Sequence, residues 1–175
     1  MGLLTYDVAV SLDGFIAGPD DDVSAFPVEG DHVDRYFERI ATYQAVLMGR
    51  KTYEFGYRHG VEPGQAPYPG MDHYIISPSI DLPEDAAVQV VRADVTARVA
   101  ALKEDYESLY LCGGGILAAR LLAAGLLDKL VLKLAPVALG QGTRLFEGLS
   151  GASPMRLTEA VEHTSGVCTM YYDAR

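Results

Sequence analysis

The chain alternates between short apolar runs and segments with helical spacing. From Leu3 to Val10 apolar and polar positions alternate: Leu4, Tyr6, Val8 and Val10 share one face, and Thr5, Asp7, Ala9 and Ser11 the other. That period of two predicts a strand. Phe15 to Ala17 resumes it briefly after a Ser11–Gly14 turn. Further apolar runs predict strands at Ala45–Met48, Tyr74–Ile76, Val88–Val91, Leu109–Cys112 and Lys129–Ala135. Helical spacing is expected over Asp31–Tyr43, with Val33, Phe37, Ile40 and Ala41 inward, and over Asp94–Tyr106, with Val95, Val99 and Leu102 inward. Thr52–Tyr57 reads as a short helix, and a helix follows Gly115 and stops near Gly125. Met155–Glu162 and Val167–Asp173, joined by Ser165-Gly166, predict a closing antiparallel hairpin. The order predicts an α/β fold: a central, mainly parallel mixed sheet with flanking helices and a C-terminal hairpin. No internal repeat or linker interrupts it, so residues 1–175 are expected to form one domain.

Two junctions between strand and helix stand out. Leu109-Tyr110-Leu111-Cys112 runs into Gly113-Gly114-Gly115 and then Ile116-Leu117. Met48 runs into Gly49-Arg50-Lys51-Thr52. A helix N-terminus offers free N–H groups and partial positive charge, and glycine lets backbone come close to a ligand. Each junction alone also reads as an ordinary turn, with Thr52 as an N-cap and the cations in solvent. Three successive glycines, and adjacent cations in a chain with only 14 lysines and arginines, favour phosphate contact. Neither junction matches a Walker A loop or a spaced Rossmann fingerprint. Two anion sites together point to a long, doubly anchored ligand such as a dinucleotide.

Charge and cysteine content narrow the classes. The formal net charge of −10 argues against nucleic acid or an anionic membrane as partner, since both need a basic surface. The two cysteines, Cys112 and Cys168, lie far apart without ligand-spaced partners, so no metal site is expected. Reduced thiols and an N-terminus that opens directly on a strand give the expectation of a cytoplasmic protein. Asp7 and Lys133 interrupt apolar strands. They are either solvent-facing or aimed into a cleft, because a lone charge is rarely buried. Asp13, in Ser11-Leu12-Asp13-Gly14, has the form of a turn residue.

Taken together, these segments resemble the dihydrofolate reductase-like superfamily. The resemblance is closest to the branch holding the riboflavin-biosynthesis reductase domain (the RibD C-terminal domain family) and its stand-alone bacterial relatives. It rests on Ser11-Leu12-Asp13-Gly14-Phe15-Ile16-Ala17-Gly18, Val46–Glu54, Leu111–Gly115 and Pro136–Phe146, in family order. It implies an NADPH-binding reductase, of the type that reduces 5-amino-6-(5-phosphoribosylamino)uracil. By the same resemblance, backbone at Ala9 and Ile16 holds the nicotinamide amide. Gly49, Arg50, Lys51 and Thr52 hold phosphates, and Ser77 and Arg92 meet the 2′-phosphate. Gly113, Gly114, Gly115, Ile116 and Leu117 cover the pyrophosphate, with a cis peptide between Gly113 and Gly114.

The departures concern the substrate. Dihydrofolate reductases carry a pterin-binding acid on the first helix, and that position is Val33 here. The zinc-ligand cysteines of the bifunctional enzymes' deaminase domain and their Asp-Asn-Pro-type motif are absent. Asp7 and Lys133 are therefore expected to replace the helix acid as catalytic groups, and Asp13 to take a substrate hydroxyl. The expected partner is a small polar molecule, with a second copy of the chain as a further partner. The alternatives are a pterin-type reductase on the same scaffold and a non-catalytic dinucleotide sensor.

Overall fold

A computed structural model describes residues 1–174. Nine strands and four α-helices follow the expected order, and a two-residue strand, Thr143–Arg144, is added to them. β1 is Leu3–Val10, β2 Phe15–Ala17, α1 Asp31–Ile40, β3 Ala45–Gly49, α2 Arg50–Phe55, β4 Asp72–Ile76 and β5 Gln89–Val91. Then come α3 Val95–Asp105, β6 Ser108–Gly113, α4 Gly115–Ala123, β7 Lys129–Leu134, β8 Thr143–Arg144, β9 Met155–Glu162 and β10 Cys168–Ala174. The main sheet has the order β5-β4-β3-β6-β1-β7-β10-β9. Its first six strands run parallel, and β10 and β9 close it antiparallel. β2 pairs with β8 in a small separate sheet.

Strand alternation divides the core into two layers. On one face Leu4, Tyr6, Leu47, Leu109 and Leu111 pack under α3 and α4, where Val95, Val99, Leu102, Leu117 and Leu121 are buried. The opposite face of β3 and β6, with Val46, Met48 and Tyr110, packs with Ile40 of α1 and Tyr53 of α2. The inward residues of α3 match the sequence expectation.

α1 presents only part of the face that its hydrophobicity predicts: Ile40 and Val33 turn inward, Phe37 and Ala41 do not. Phe37 is 61% exposed and Ala41 lies exposed beyond the helix. His32 and Ile40 are buried, Val33 and Tyr36 are half-buried, and Arg39 reaches under the helix to Asp7. The reason is what lies beneath: α1 covers a buried charge, so polar side chains turn inward. α2 starts at Arg50 with Gly49 as its N-cap, which moves Arg50 and Lys51 into its first turn and removes the capping role expected of Thr52.

Gly115 shows how tightly the Gly113–Gly115 junction is built. A Cβ there would lie 2.1 Å from the Arg144 carbonyl oxygen, and the Glu147 N–H donates to the Gly115 carbonyl. Any side chain must push this loop off α4. Gly115→Ala should destabilise the protein by about 1–3 kcal/mol, the usual cost of overpacking, measured by urea unfolding; an unchanged midpoint would contradict this packing.

Candidate active site

β3 and β6 are neighbours in the sheet, with Met48 opposite Gly113. Their C-terminal turns therefore touch. A Cβ on Gly49 would lie 3.6 Å from Gly113 O and Gly114 N, and one on Gly114 would lie 3.4 Å from Thr52 Oγ1. Two junctions 64 residues apart in sequence (Gly49 and Gly113) form one surface. The Gly113–Gly114 peptide is cis. Both helices that follow are led by glycine N-caps, Gly49 and Gly114, without a side-chain cap. The first-turn N–H groups of α2 and α4 are thus left for another acceptor.

These turns form the floor of a cleft of about 850 Å³ at the C-terminal ends of β1, β3, β4, β5 and β6, the usual ligand position in a parallel sheet. Ile16, Gly49, Arg50, Lys51, Thr52, Ser77, Arg92, Gly114, Gly115, Ile116 and Leu117 all line it. Gly113 lies buried behind them. Arg120, one turn beyond Ile116 on α4, adds a cation that the motif reading passed over.

One end of the cleft is set by the Ser77–Ile80 turn. Ser77 Oγ accepts hydrogen bonds from the Ser79 and Ile80 N–H groups at 3.3 and 3.0 Å, and its own proton is left to donate. Arg92 Nη1 donates to the Ile80 carbonyl at 2.9 Å. Arg50 reaches the same turn through Ser79 Oγ at 3.2 Å and is held by Glu54 at 2.7 Å. Two guanidinium groups thus flank one serine turn, a geometry suited to a phosphate dianion.

A second, smaller cavity of about 120 Å³ lies between α1 and the sheet. Ala9, Phe26, His32, Val33, Tyr36 and Lys133 are among its walls. The strand period explains how it relates to the cleft: Val8 lines the cleft and Ala9 the small pocket. The end of β1 is thus common to both.

Asp7 lies beside this pocket with a side chain of zero exposure. Arg39 holds it in a fork, Nε to Oδ2 at 2.8 Å and Nη2 to Oδ1 at 3.3 Å. Lys133 Nζ is 3.2 Å from Oδ1 and 3.5 Å from the Tyr36 ring centroid. Burial pulls the Lys133 ammonium below the ordinary lysine range, with Asp7 opposing that shift. The Tyr36 hydroxyl meets that of Tyr110 at 3.1 Å, and burial raises it to about 12, keeping it a neutral donor. The structure brings Asp7 and Lys133 together, as their strand positions allow. It adds Arg39, Tyr36 and His32, which a hydrophobic reading of α1 could not single out. Their spacing of three to four residues was the available signal.

Asp13 lies outside both cavities. Ser11 Oγ donates to its Oδ1 at 2.6 Å, and the Leu139 and Gly140 N–H groups donate at 3.0 and 2.6 Å. The Ser11 hydroxyl, followed by those two N–H groups, lowers its carboxyl to about 2. The carboxylate is taken up in tying the Leu139–Gly142 loop to the first turn. Through that loop Gly142 and Thr143 reach the cleft wall. The expected contact to a substrate hydroxyl gives way to this bracing role.

Known proteins share this architecture. The model of the RibD C-terminal domain matches residues 3–169. The uncharacterized protein YwjB of Bacillus subtilis (strain 168) is 32% identical over 154 residues, covering 86% of each chain. A putative riboflavin biosynthesis protein from Shewanella sp. PV-4 superposes with a TM-score of 0.83 at 21% identity, over 100% of this chain and 99% of that one. A Thermotoga maritima diaminohydroxyphosphoribosylaminopyrimidine deaminase/5-amino-6-(5-phosphoribosylamino)uracil reductase superposes with a TM-score of 0.76 at 17% identity. There the match covers 99% of this chain but 57% of the longer enzyme. With the ordered motifs and the sheet topology, the match along nearly its whole length shows that this chain belongs to the RibD C-terminal domain family.

Proposed function

We propose that this protein is an NADPH-dependent reductase that passes hydride to a C=N or C=O carbon of a small polar substrate. The observation that carries this reading is the convergence of two uncapped, glycine-led helix starts with Arg50, Lys51 and Arg92 in one long cleft. That cleft shares the end of β1 with a small pocket holding Lys133. The residues fit a phosphorylated dinucleotide: its pyrophosphate suits the N–H groups of α2 and α4, and a 2′-phosphate suits Arg50 and Arg92 at the Ser77 turn. Backbone at Ala9 and Ile16 would hold the nicotinamide amide. The chain's net charge of −10 means these local groups, without a wide basic field, must supply the affinity.

When bound, NADPH supplies the hydride; the protein's own groups orient the reactants and manage the proton. Lys133 faces the small pocket and holds a proton at Nζ. Partial desolvation makes that proton easier to give up. Asp7, steadied by Arg39, holds Lys133 in place and stabilises its charged form. The Lys133 ammonium then donates to the substrate heteroatom as negative charge develops there, and solvent at the pocket mouth restores the proton. The reductase substrate named for the Thermotoga maritima enzyme is the first compound to assay.

Binding is read from nicotinamide fluorescence, without interference because the chain has no tryptophan. Arg50→Ala should weaken NADPH roughly 10-fold more than NADH, as expected when a charge-assisted phosphate contact is lost. Equal weakening would remove Arg50 from the 2′-phosphate. Asp7→Asn should lower kcat by ~100-fold or more with NADPH affinity nearly intact; unchanged turnover would take Asp7 out of the mechanism. A required ammonium also fixes the sign of the pH dependence. Turnover should be level at neutral pH and fall as pH rises through a value below the ordinary lysine range. Lys133→Arg should move that limb beyond the accessible alkaline range; a limb that stays in place would assign it to another group.

A further inference from the structure

The small pocket has a definite charge character. Of the residues that line it, Lys133 is the one that carries full charge. Asp7, the nearest carboxylate, is not in the lining; both of its oxygens are taken by Arg39 and Lys133. His32 spends both ring nitrogens away from the pocket, one on the Pro27 carbonyl at 3.1 Å and one on Ser165 Oγ at 2.9 Å. Asp31, at the start of α1, is engaged by His163 at 2.9 Å and Thr164 at 3.0 Å. Arg39 and Lys133 against Asp7 leave one positive charge in excess beside the pocket. The remaining walls include Phe26, Val33 and Ala9. The volume of about 120 Å³ is near the ~150 Å³ cavity that holds a benzene ring.

We infer that the small pocket selects a single-ring compound that is neutral or anionic and presents an oxygen to Lys133 Nζ, and that it rejects protonated, cationic rings. Lys133 is the selecting charge, and Val33 is the position where the absence of an acid sets the sign. This rests on the reading that the small pocket receives the hydride acceptor, and it gives that acceptor a size and a charge class. For a carbonyl acceptor the step balances as follows. A bound reduced nicotinamide dinucleotide would supply hydride to the carbonyl carbon and be left oxidised, with the C=O π pair moving to oxygen. Lys133 Nζ gives that oxygen a proton, and the neutral amine regains one from solvent. A cationic ring would instead place like charges together in a half-desolvated site, which weakens its binding.

Three probes of nearly equal shape separate charge from size: benzoate, benzamide and benzamidine. Their binding to the full chain is measured by ligand-observed NMR and calorimetry at neutral pH, with and without saturating NADPH. Benzoate should bind at least ~10-fold more tightly than benzamidine, with benzamide between, as like-charge exclusion requires. Lys133→Met should abolish the preference. Val33→Glu, at a half-buried position on α1, should reverse it, and thermal melts confirm that both variants are folded. Equal binding of all three probes, tighter binding of benzamidine to the unaltered protein, or no binding of any probe would overturn the inference. So would a Val33→Glu protein whose order of preference is unchanged. The cofactor reading fails separately, by absence of NADPH binding in the fluorescence titration, because the probes are also read without nucleotide.

Discussion

A carboxylate with no solvent exposure, in an interior strand of the main sheet, must be neutralised. Asp7 is that group, and its neighbours follow from it. Leaving a buried charge unpaired would cost several kcal/mol, so cations must come from the elements packed around it. Arg39 comes from α1 and Lys133 from β7. The register that places Ala9 opposite Lys133 and Asp7 opposite Val131 sets the approach of one cation. The orientation of α1 sets the other. With Arg39 drawn to Asp7, Tyr36 lies under the Lys133 ammonium and Val33 and His32 reach the pocket wall. A single buried charge thus shapes both the packing of α1 and the chemistry of the pocket beneath it.

The cleft depends on topology in the same direct way. Each glycine junction is a local turn, but the chain crosses from β3 through β4, β5 and α3 before β6 returns beside β3. Parallel pairing then aligns the C-terminal ends, so both helix starts open on the same space. The glycines permit the close approach of the turns, and the Arg144 carbonyl against Gly115 shows how little room remains. Alternation along β1 does the rest, with Val8 on the long cleft and Ala9 on the small pocket.

Much of this was legible from the chain itself. Strand alternation located β1 and the C-terminal hairpin at their observed limits to within a residue or two, and the inward face of α3 followed from apolar spacing. The weak point was α1. Hydrophobicity placed Phe37 inward, yet it is exposed, while Tyr36 and Arg39 turn toward the sheet. Amphipathic reasoning assumes that the surface being covered is apolar; over Asp7 and Lys133 it is not. Asp13 shows a related limit. An Asp-Gly turn was readable, but its attachment to the Leu139–Gly142 loop, more than 120 residues away, was not.

The sequence by itself determined the periodic elements, the α/β order and the identity of the groups that can bear charge, because these depend on neighbours within a few residues. It also marked both glycine-led helix starts, since backbone freedom and cation placement there are local properties. Tertiary structure alone decided which of these groups meet. The joining of Gly49 to Gly113, the fork of Arg39 on Asp7 and the closure of a ring-sized pocket around Lys133 all depend on crossover order and register. Such contacts span many tens of residues, and no periodicity in the chain encodes them.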